Sequence, residues 1–383
     1  DALPIYDPVW YDHLPYLPFP ANWPVFAPKD KIGDWLEFYT KVMEVPYWSR
    51  TECLSATYDS EAGRWTVEVN RDGERMTLHP TQLVLATGMS GKPNIPVIPG
   101  QDVFRGEQQH SSQHPGPDAY RGKKVVVIGS GATAVTLVPA LAKGGAQQVT
   151  MLQRSPSYVL SVPAADPITN ALNKLLGHER AFPIVRRKNI SLNRGLFKMC
   201  MRYPKVMRKL LIANVARQLP KNFDVDTHFT PKYNPWQQRL AMVPDGDLFK
   251  MVSSGKASIV TDHIERFTKH GILLKSGQEL AADIIISATG LNMIPFGKIE
   301  LSVDGHLLHL PDLTVYKAMM LSGVPNFAFA VGYTNIAWTL KVDLVCEHFC
   351  RMLDYMDEHG YAKVVPILED GTMERVPLLD MTS

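Results

Sequence analysis

Two rhythms of apolar and polar positions run through this chain, and each change of rhythm marks an element. Residues 31–48, KIGDWLEFYTKVMEVPYW, space Ile32, Trp35, Leu36, Tyr39 and Met43 three and four apart, which predicts an amphipathic helix. Alternation with period two then takes over. Arg64–Asn70 and Arg75–His79 flank Arg71-Asp72-Gly73 and predict a short hairpin, and Gln82–Thr87 predicts a buried strand. The Gly- and Pro-rich run 89–102, MSGKPNIPVIPGQD, is the natural domain boundary. Residues 1–30 crowd proline with aromatics and read as loop with apolar anchors.

The pattern is sharpest between Lys123 and Ser155. Val125–Ile128 is an unbroken β-branched run of the kind buried on both faces of a parallel sheet. It breaks into Gly129-Ser130-Gly131-Ala132-Thr133-Ala134, and an apolar helix is predicted from there to about Lys143. Gly144-Gly145 closes it as C-cap glycines do, and Val149–Gln153 predicts a second strand. Farther on, residues 156–250 read as helix-rich and short strands recur over 258–287. A strand at about 327–331 leads into a long helix over 336–359, after which the chain turns polar with no evident structural ending.

A strand–turn–helix–strand unit with GxGxxA in its first turn predicts a dinucleotide site. Gly129 permits the tight turn, Gly131 lets a pyrophosphate reach bare backbone at a helix N-terminus, and Ala134 allows close helix–sheet packing. The second strand ends in Gln153-Arg154-Ser155, where an NAD site carries an acid for the ribose hydroxyls. Arg154 suits a 2′-phosphate instead, so NADP is expected over NAD. The alternatives are a glycine-rich turn in an unrelated parallel sheet and a solvated loop arginine. Two strands end alike, in Ala86-Thr87-Gly88 and Ala288-Thr289-Gly290, at the two edges of this unit. They are expected to be chain crossings beside bound cofactors, where glycine lets backbone approach closely.

Bulk properties narrow the classes. A chain of 383 residues holds two or three domains, and 45% hydrophobic with 20% charged residues excludes a disordered or fibrous protein. Four cysteines without a CxxC exclude a disulfide scaffold, a thioredoxin-like pair and a zinc ribbon. Cys346 and Cys350 share a helical face, and core packing rather than a metal is expected there. With no signal peptide or membrane-spanning run, a cytoplasmic location is the expectation. Net charge of +2 hides an asymmetry: Arg186 to Lys221 carries eleven Lys or Arg and no acid. That stretch reads as helical around Pro204. It is a solvated face, a contact for an anionic membrane surface, or a guide for the polyanionic coenzyme. Nucleic acid is not expected, because a nucleotide fold already accounts for the phosphate chemistry.

Phe104-Arg105-Gly106 with His110 resembles the FxGxxxH fingerprint core of the flavin-containing monooxygenases, and the second Ala-Thr-Gly segment is another of their marks. His114-Pro115 departs from the Trp that Baeyer–Villiger members carry beyond that core. From Lys123 onward the chain resembles the ethionamide-activating branch of the type I Baeyer–Villiger monooxygenases, through GSGATAVTLVPALA, MLQRSPSYV, YNPWQQRL, VPDGDLF, ADIIISATGLN, KAMMLSGVPN and GYTNIAWTLK. Residues 1–122, with HSSQHPGPDAYRGKK, look more like general flavin monooxygenases.

The resemblance implies an α/β flavoprotein with two dinucleotide-binding domains, an FAD domain interrupted by a Rossmann-like NADP domain. Residues 1–92 would be a partial FAD-binding domain, 93–122 a linker with the fingerprint loop, 123–287 the NADP-binding domain with a helical insertion at about 160–240, and 288–383 the return to a truncated FAD domain. Family members open with their own GxGxxG unit for the ADP half of FAD, and this chain has one such fingerprint. The chain is therefore expected to lack that N-terminal βαβ unit, the catalytic Asp of the same segment and a C-terminal tail. The implied reaction is NADPH- and FAD-dependent: a flavin C4a-peroxide formed with O2 inserts one oxygen atom, giving Baeyer–Villiger oxidation of ketones or sulfoxidation. Alternatives are N- or S-oxygenation without Baeyer–Villiger activity, or an NADP-binding fragment without turnover. A small ketone, sulfide or thioamide is the implied substrate. Arg239 aligns with the arginine that steadies the anionic peroxide, and Gln238 with a position near the coenzyme phosphate. Asn335 would lie near the flavin, with Gly88, Ala288, Thr289 and Gly290 at the crossings and no metal.

Overall fold

The computed structural model describes residue 9 and residues 14–20, 22–24, 26–88, 91–238, 240–333 and 337–368. The chain divides into two compact units, one of residues 1–39 with 93–291 and one of residues 40–92 with 292–383.

The first unit is built on five strands: β1 (Glu107–His110), β2 (Lys124–Ile128), β3 (Gln148–Gln153), β4 (Ala257–Thr261) and β5 (Ile284–Ser287). They pair in the order β4-β3-β2-β5-β1, all parallel. All four residues of β5 and the last four of β2 are buried, as a sheet covered on both faces demands. Alternation divides them between two cores. Val125, Val127, Ile284 and Ile286 face one core, while Val126, Ile128 and Ile285 face the other with Phe104, Phe267 and Leu152. Helix α1 (Ala132–Lys143) covers the first face. Its Ala134, Val135, Leu137, Val138 and Leu141 are fully buried, and each of the larger ones is worth about 1.5–3 kcal/mol. Gly145, at φ +92°, ends this helix in the left-handed conformation.

Between β3 and β4 the chain makes two short parallel strands, Val159–Val162 and Ala241–Pro244. It also makes five helices, of which the three longest are α2 (Pro167–Leu176), α3 (His178–Arg202) and α4 (Pro204–Ala216); Val225–Phe229 and Asp247–Ser253 are short. Asp166 caps α2 by accepting from the backbone N–H groups of Ile168 and Thr169. Helix α4 buries Met207, Leu211 and Val215 on one face. An antiparallel meander, Ile264–Phe267, Gly271–Leu274 and Glu279–Ala281, follows β4.

The helix expected over 31–48 spans Lys29–Val42, because Glu44 takes a left-handed φ of +51° and Pro46 follows. Ile32 and Trp35 pack with Phe19 and Trp23, whereas Leu36 and Met43 of the same sequence pattern are exposed.

In the second unit the hairpin forms as Arg64–Arg71 and Glu74–Leu78 around Asp72-Gly73, both at positive φ as a two-residue hairpin loop requires. Strand Thr51–Asp59 lies between this hairpin and Glu300–Val303, and the core gathers Tyr58, Trp65, Val324 and Phe327. Two expectations are corrected here. The strand over 82–87 shortens to Leu83–Leu85, and Val84 is exposed; its described partner is Phe327–Phe329. Cys346 and Cys350 are exposed on helix Thr339–His359, whose buried residues are Val345 and Met356. Of the described residues after Gly360, Val364 donates to the Asn326 side chain and accepts from the Asn326 N–H, and Pro366 O accepts from Gly323 N–H. Among the described residues no helix is long and apolar enough to cross a membrane.

Candidate functional site

The order of strands in the first unit reverses at β2: β3 and β4 lie to one side, β5 and β1 to the other. Open parallel sheets take ligands at the carboxyl ends of the strands beside such a reversal. The Gly129–Ala134 turn leaves β2 there, and Ala288-Thr289-Gly290 leaves β5.

Gly129 and Gly131 do different work. Gly129 sits at φ +140°, and a Cβ on it would lie 2.4 Å from the Ala288 carbonyl oxygen. The turn is pinned from both sides, since Gly129 N–H donates to Leu152 O at 2.8 Å and Ala288 N–H to Ile128 O at 2.8 Å. Around Gly131, in contrast, a Cβ would meet no protein atom within 4 Å. Gly131 is the N-cap of α1 and offers no side chain to the first-turn N–H groups. Those donors and the positive end of the helix dipole therefore face open space, a cradle that fits a phosphate-bearing group and that a methyl would fill. Ala132 and Thr133 begin the helix, and Ala134 is fully buried against the sheet.

The segment after β3 is tied to this turn. Ser130 Oγ donates to Ser155 O at 3.1 Å and lies 3.1 Å from Ser157 Oγ. Gln153, where an acid would stand in an NAD site, is 2% exposed, and its Nε2 donates to His228 O and Thr261 Oγ1, each at 2.8 Å. Burial holds the His228 imidazole below its ordinary pKa, against the opposing pull of Asp224. Gln153 is thus consumed inside the fold, and the exposed Arg154 and Ser155 are what the end of β3 presents.

The fingerprint residues act on β5. Phe104 packs edge-on against Phe267 at 6.1 Å, and a Cβ on Gly106 would lie 2.3 Å from Asp283 O and 2.5 Å from the Phe104 ring. His110 is 2% exposed. Its Nδ1 accepts from Ser112 N–H at 3.2 Å, which puts the proton on Nε2, and that nitrogen donates to Gly290 O at 3.0 Å. Asn94 N–H reaches the same oxygen at 3.0 Å, Asn94 Nδ2 donates to Thr289 O at 3.2 Å, and Thr289 Oγ1 bonds Asn94 O. Gly106, with the Phe104 ring against it, fits the chain at the entry to β5, and His110 positions the backbone that leaves it. His110→Ala is expected to cost about 2 kcal/mol by removing one of the two donors to Gly290 O and leaving a void where the buried ring sits, a fall in Tm of roughly 4–8 °C by calorimetry.

Gly290 and, in the second unit, Gly88 take φ of +83° and +64°, and a Cβ on either would meet no protein atom within 4 Å, so left-handed backbone rather than crowding by protein calls for glycine there. Gln238 is half-buried in the turn from Tyr233, bridged to Pro235; Tyr158 OH donates to Tyr233 O at 2.7 Å. Arg239 and Asn335 fall outside the described residues. Asn94 and Ser157 are site-building residues that sequence reasoning missed, and Asn94 carries no local signal because its partners lie about 195 positions away.

Residues 12–321 match the family described as flavin-binding monooxygenase-like. The chain is 46% identical over 329 residues to the FAD-containing monooxygenase EthA of Mycolicibacterium smegmatis, covering 85% of this chain and 67% of the relative. It is 44% identical over 331 residues to the probable FAD-binding monooxygenase AlmA of Acinetobacter baylyi, covering 84% and 66%. It thus spans about two thirds of the length of these relatives, and a match of this length runs through both sides of Lys123. Among solved structures, an oxidized steroid monooxygenase bound to NADP superposes with a TM-score of 0.74 at 20% identity, covering 94% of this chain and 79% of that one. Cyclohexanone monooxygenase in an open crystal structure gives 0.73 at 19% identity, with the same coverage. These likenesses show the fold: an α/β architecture shared with two-dinucleotide-binding flavoproteins.

Proposed function

Since the chain belongs to the flavin-binding monooxygenase-like family and is a flavin-dependent monooxygenase, we propose that it works with NADPH and FAD to place one atom of O2 beside a ketone carbonyl or on sulfur. The observation that carries the coenzyme half of this reading is the open, uncapped cradle at Gly131, with Arg154 exposed at the end of β3 and Gln153 turned inward. When bound, NADPH supplies a hydride and FAD the centre at which O2 is activated.

The chain's own residues bind, orient and stabilise. Gly129, Ser130, Gly131, Ala132, Thr133 and Ala134 shape the cradle, and the first-turn N–H groups of α1 receive the pyrophosphate. Arg154 and Ser155 take the 2′-phosphate, with Gln238 nearby. Ala288, Thr289, Gly290, Gly88 and Asn335 are the residues this reading assigns to FAD binding. Arg239 supplies a fixed cation for negative charge developing at the reacting oxygen, the logic of an oxyanion hole. In this reading residues 123–287 form the NADP domain with its helical insertion. Residues 1–92 and 288–383 belong to the FAD domain, and 93–122 link the two.

Two measurements test it. Incubation with a cyclic ketone and a thioether, NADPH and O2 is expected to give a lactone and a sulfoxide. Sulfoxide without lactone would replace this reading by N- or S-oxygenation alone. In binding titrations, Arg154→Ala is expected to cut the preference for NADPH over NADH roughly ten- to a hundredfold, the worth of one charge-assisted contact of about 1.5–3 kcal/mol. An unchanged preference would remove Arg154 from the site.

A further inference from the structure

The coenzyme site does not use the basic stretch from Arg186 to Lys221. Within it, α4 buries Met207, Leu211 and Val215 and turns a second apolar stripe outward. Val206 and Leu210, four apart on the helix, are 55% and 57% exposed, and Tyr203 at its N-cap is 49% exposed. Exposed Arg202 and Arg217 bracket this stripe at its two ends, and exposed Lys205 and Lys209 run along its flank. Helix α3 adds Leu192 and Met199, 63% and 47% exposed, among its own arginines and lysines. Not every cation is available, since Lys188 is bonded to Asp166 and Arg208 reaches Tyr233 O at 3.4 Å.

A solvated basic face does not need large apolar side chains at its centre. A free polyanion would engage the cations and leave Val206 and Leu210 in water, and an apolar protein partner would find no use for so one-sided a charge. A bilayer containing anionic lipid satisfies both: apolar side chains enter the boundary between headgroups and acyl chains while lysine and arginine stems extend to the phosphates. We propose that α3 and α4 form a peripheral docking surface for anionic membranes, lying on the bilayer and not through it.

Cosedimentation of the full chain with vesicles tests this. Phosphatidylcholine vesicles containing about 30% phosphatidylserine are expected to bind at least roughly tenfold more protein than pure phosphatidylcholine at about 50 mM salt, with most of that binding lost at about 300 mM. The double variant Val206→Ser/Leu210→Ser is expected to lose roughly fivefold or more of the binding with its melting temperature unchanged, because both side chains already face solvent. Lys205→Glu/Lys209→Glu is expected to abolish the preference for anionic lipid. Equal binding to the two vesicles, or none to either, overturns the proposal. So does a concentration-dependent dimer that the serine variant dissolves and lipid does not compete with. An oligonucleotide that binds as tightly as the anionic vesicles and is indifferent to the serine variant overturns it as well.

Discussion

Gly129→Ala is expected to destabilise the first unit by about 2–6 kcal/mol, whereas Gly131→Ala, two positions on, is expected to leave its stability unchanged and remove coenzyme binding. The first figure adds strain of roughly 1–3 kcal/mol for a side chain at φ +140° to roughly 1–3 kcal/mol of overpacking against the Ala288 carbonyl, 2.4 Å from the new methyl. That carbonyl is backbone, anchored between β2 and β1 by the pairing of β5, so it has little room to retreat. Scanning calorimetry should show Tm lower by roughly 5–20 °C for Gly129→Ala. For Gly131→Ala the methyl enters space that holds no protein atom within 4 Å, so the melt stays put while the Kd for NADP+ rises roughly tenfold or more. Should Gly131→Ala bind NADP+ as tightly as the parent, the phosphate does not lie over this turn.

Arg239→Ala is expected to lower ester or lactone formation by roughly 10²–10³, about 3–4 kcal/mol, while NADPH consumption continues within a few-fold. A cation whose role is to meet charge that appears during oxygen transfer contributes to that step and little to hydride transfer. The two readouts should therefore separate. Arg239→Lys should restore part of the rate, since it keeps the charge and loses the planar fork. Product formation and NADPH consumption falling in parallel would instead assign Arg239 to coenzyme binding.

What could be read from the sequence is what is local. In the run from Lys124 to Gln153, strand, turn, helix and strand succeed one another within reach of a single pattern, and Gly129 sits where the backbone needs it. The clasp on Gly290 is different. His110 and Asn94 meet it from 180 and 196 positions away, a distance that periodicity cannot span. The FxGxxxH pattern flagged His110 through resemblance, yet the physical content of that histidine, a neutral ring donating to a crossing backbone, needs the fold. Cys346 and Cys350 show the same limit from the other side. Their spacing fixes a shared face, but which face a helix buries is decided by its neighbours, and here the choice falls on Val345 and Met356.

The inward turn of Gln153 carries a consequence for redesign. An engineer wishing to run this enzyme on the cheaper unphosphorylated coenzyme would reach first for an aspartate at the tip of β3, where NAD sites of this topology carry an acid. Here that residue would set a carboxylate at a 2% exposed position, facing the His228 carbonyl and the Thr261 hydroxyl in place of the Gln153 amide. On the proposed reading of the coenzyme site, retargeting begins one step later along the chain, at Arg154 and Ser155.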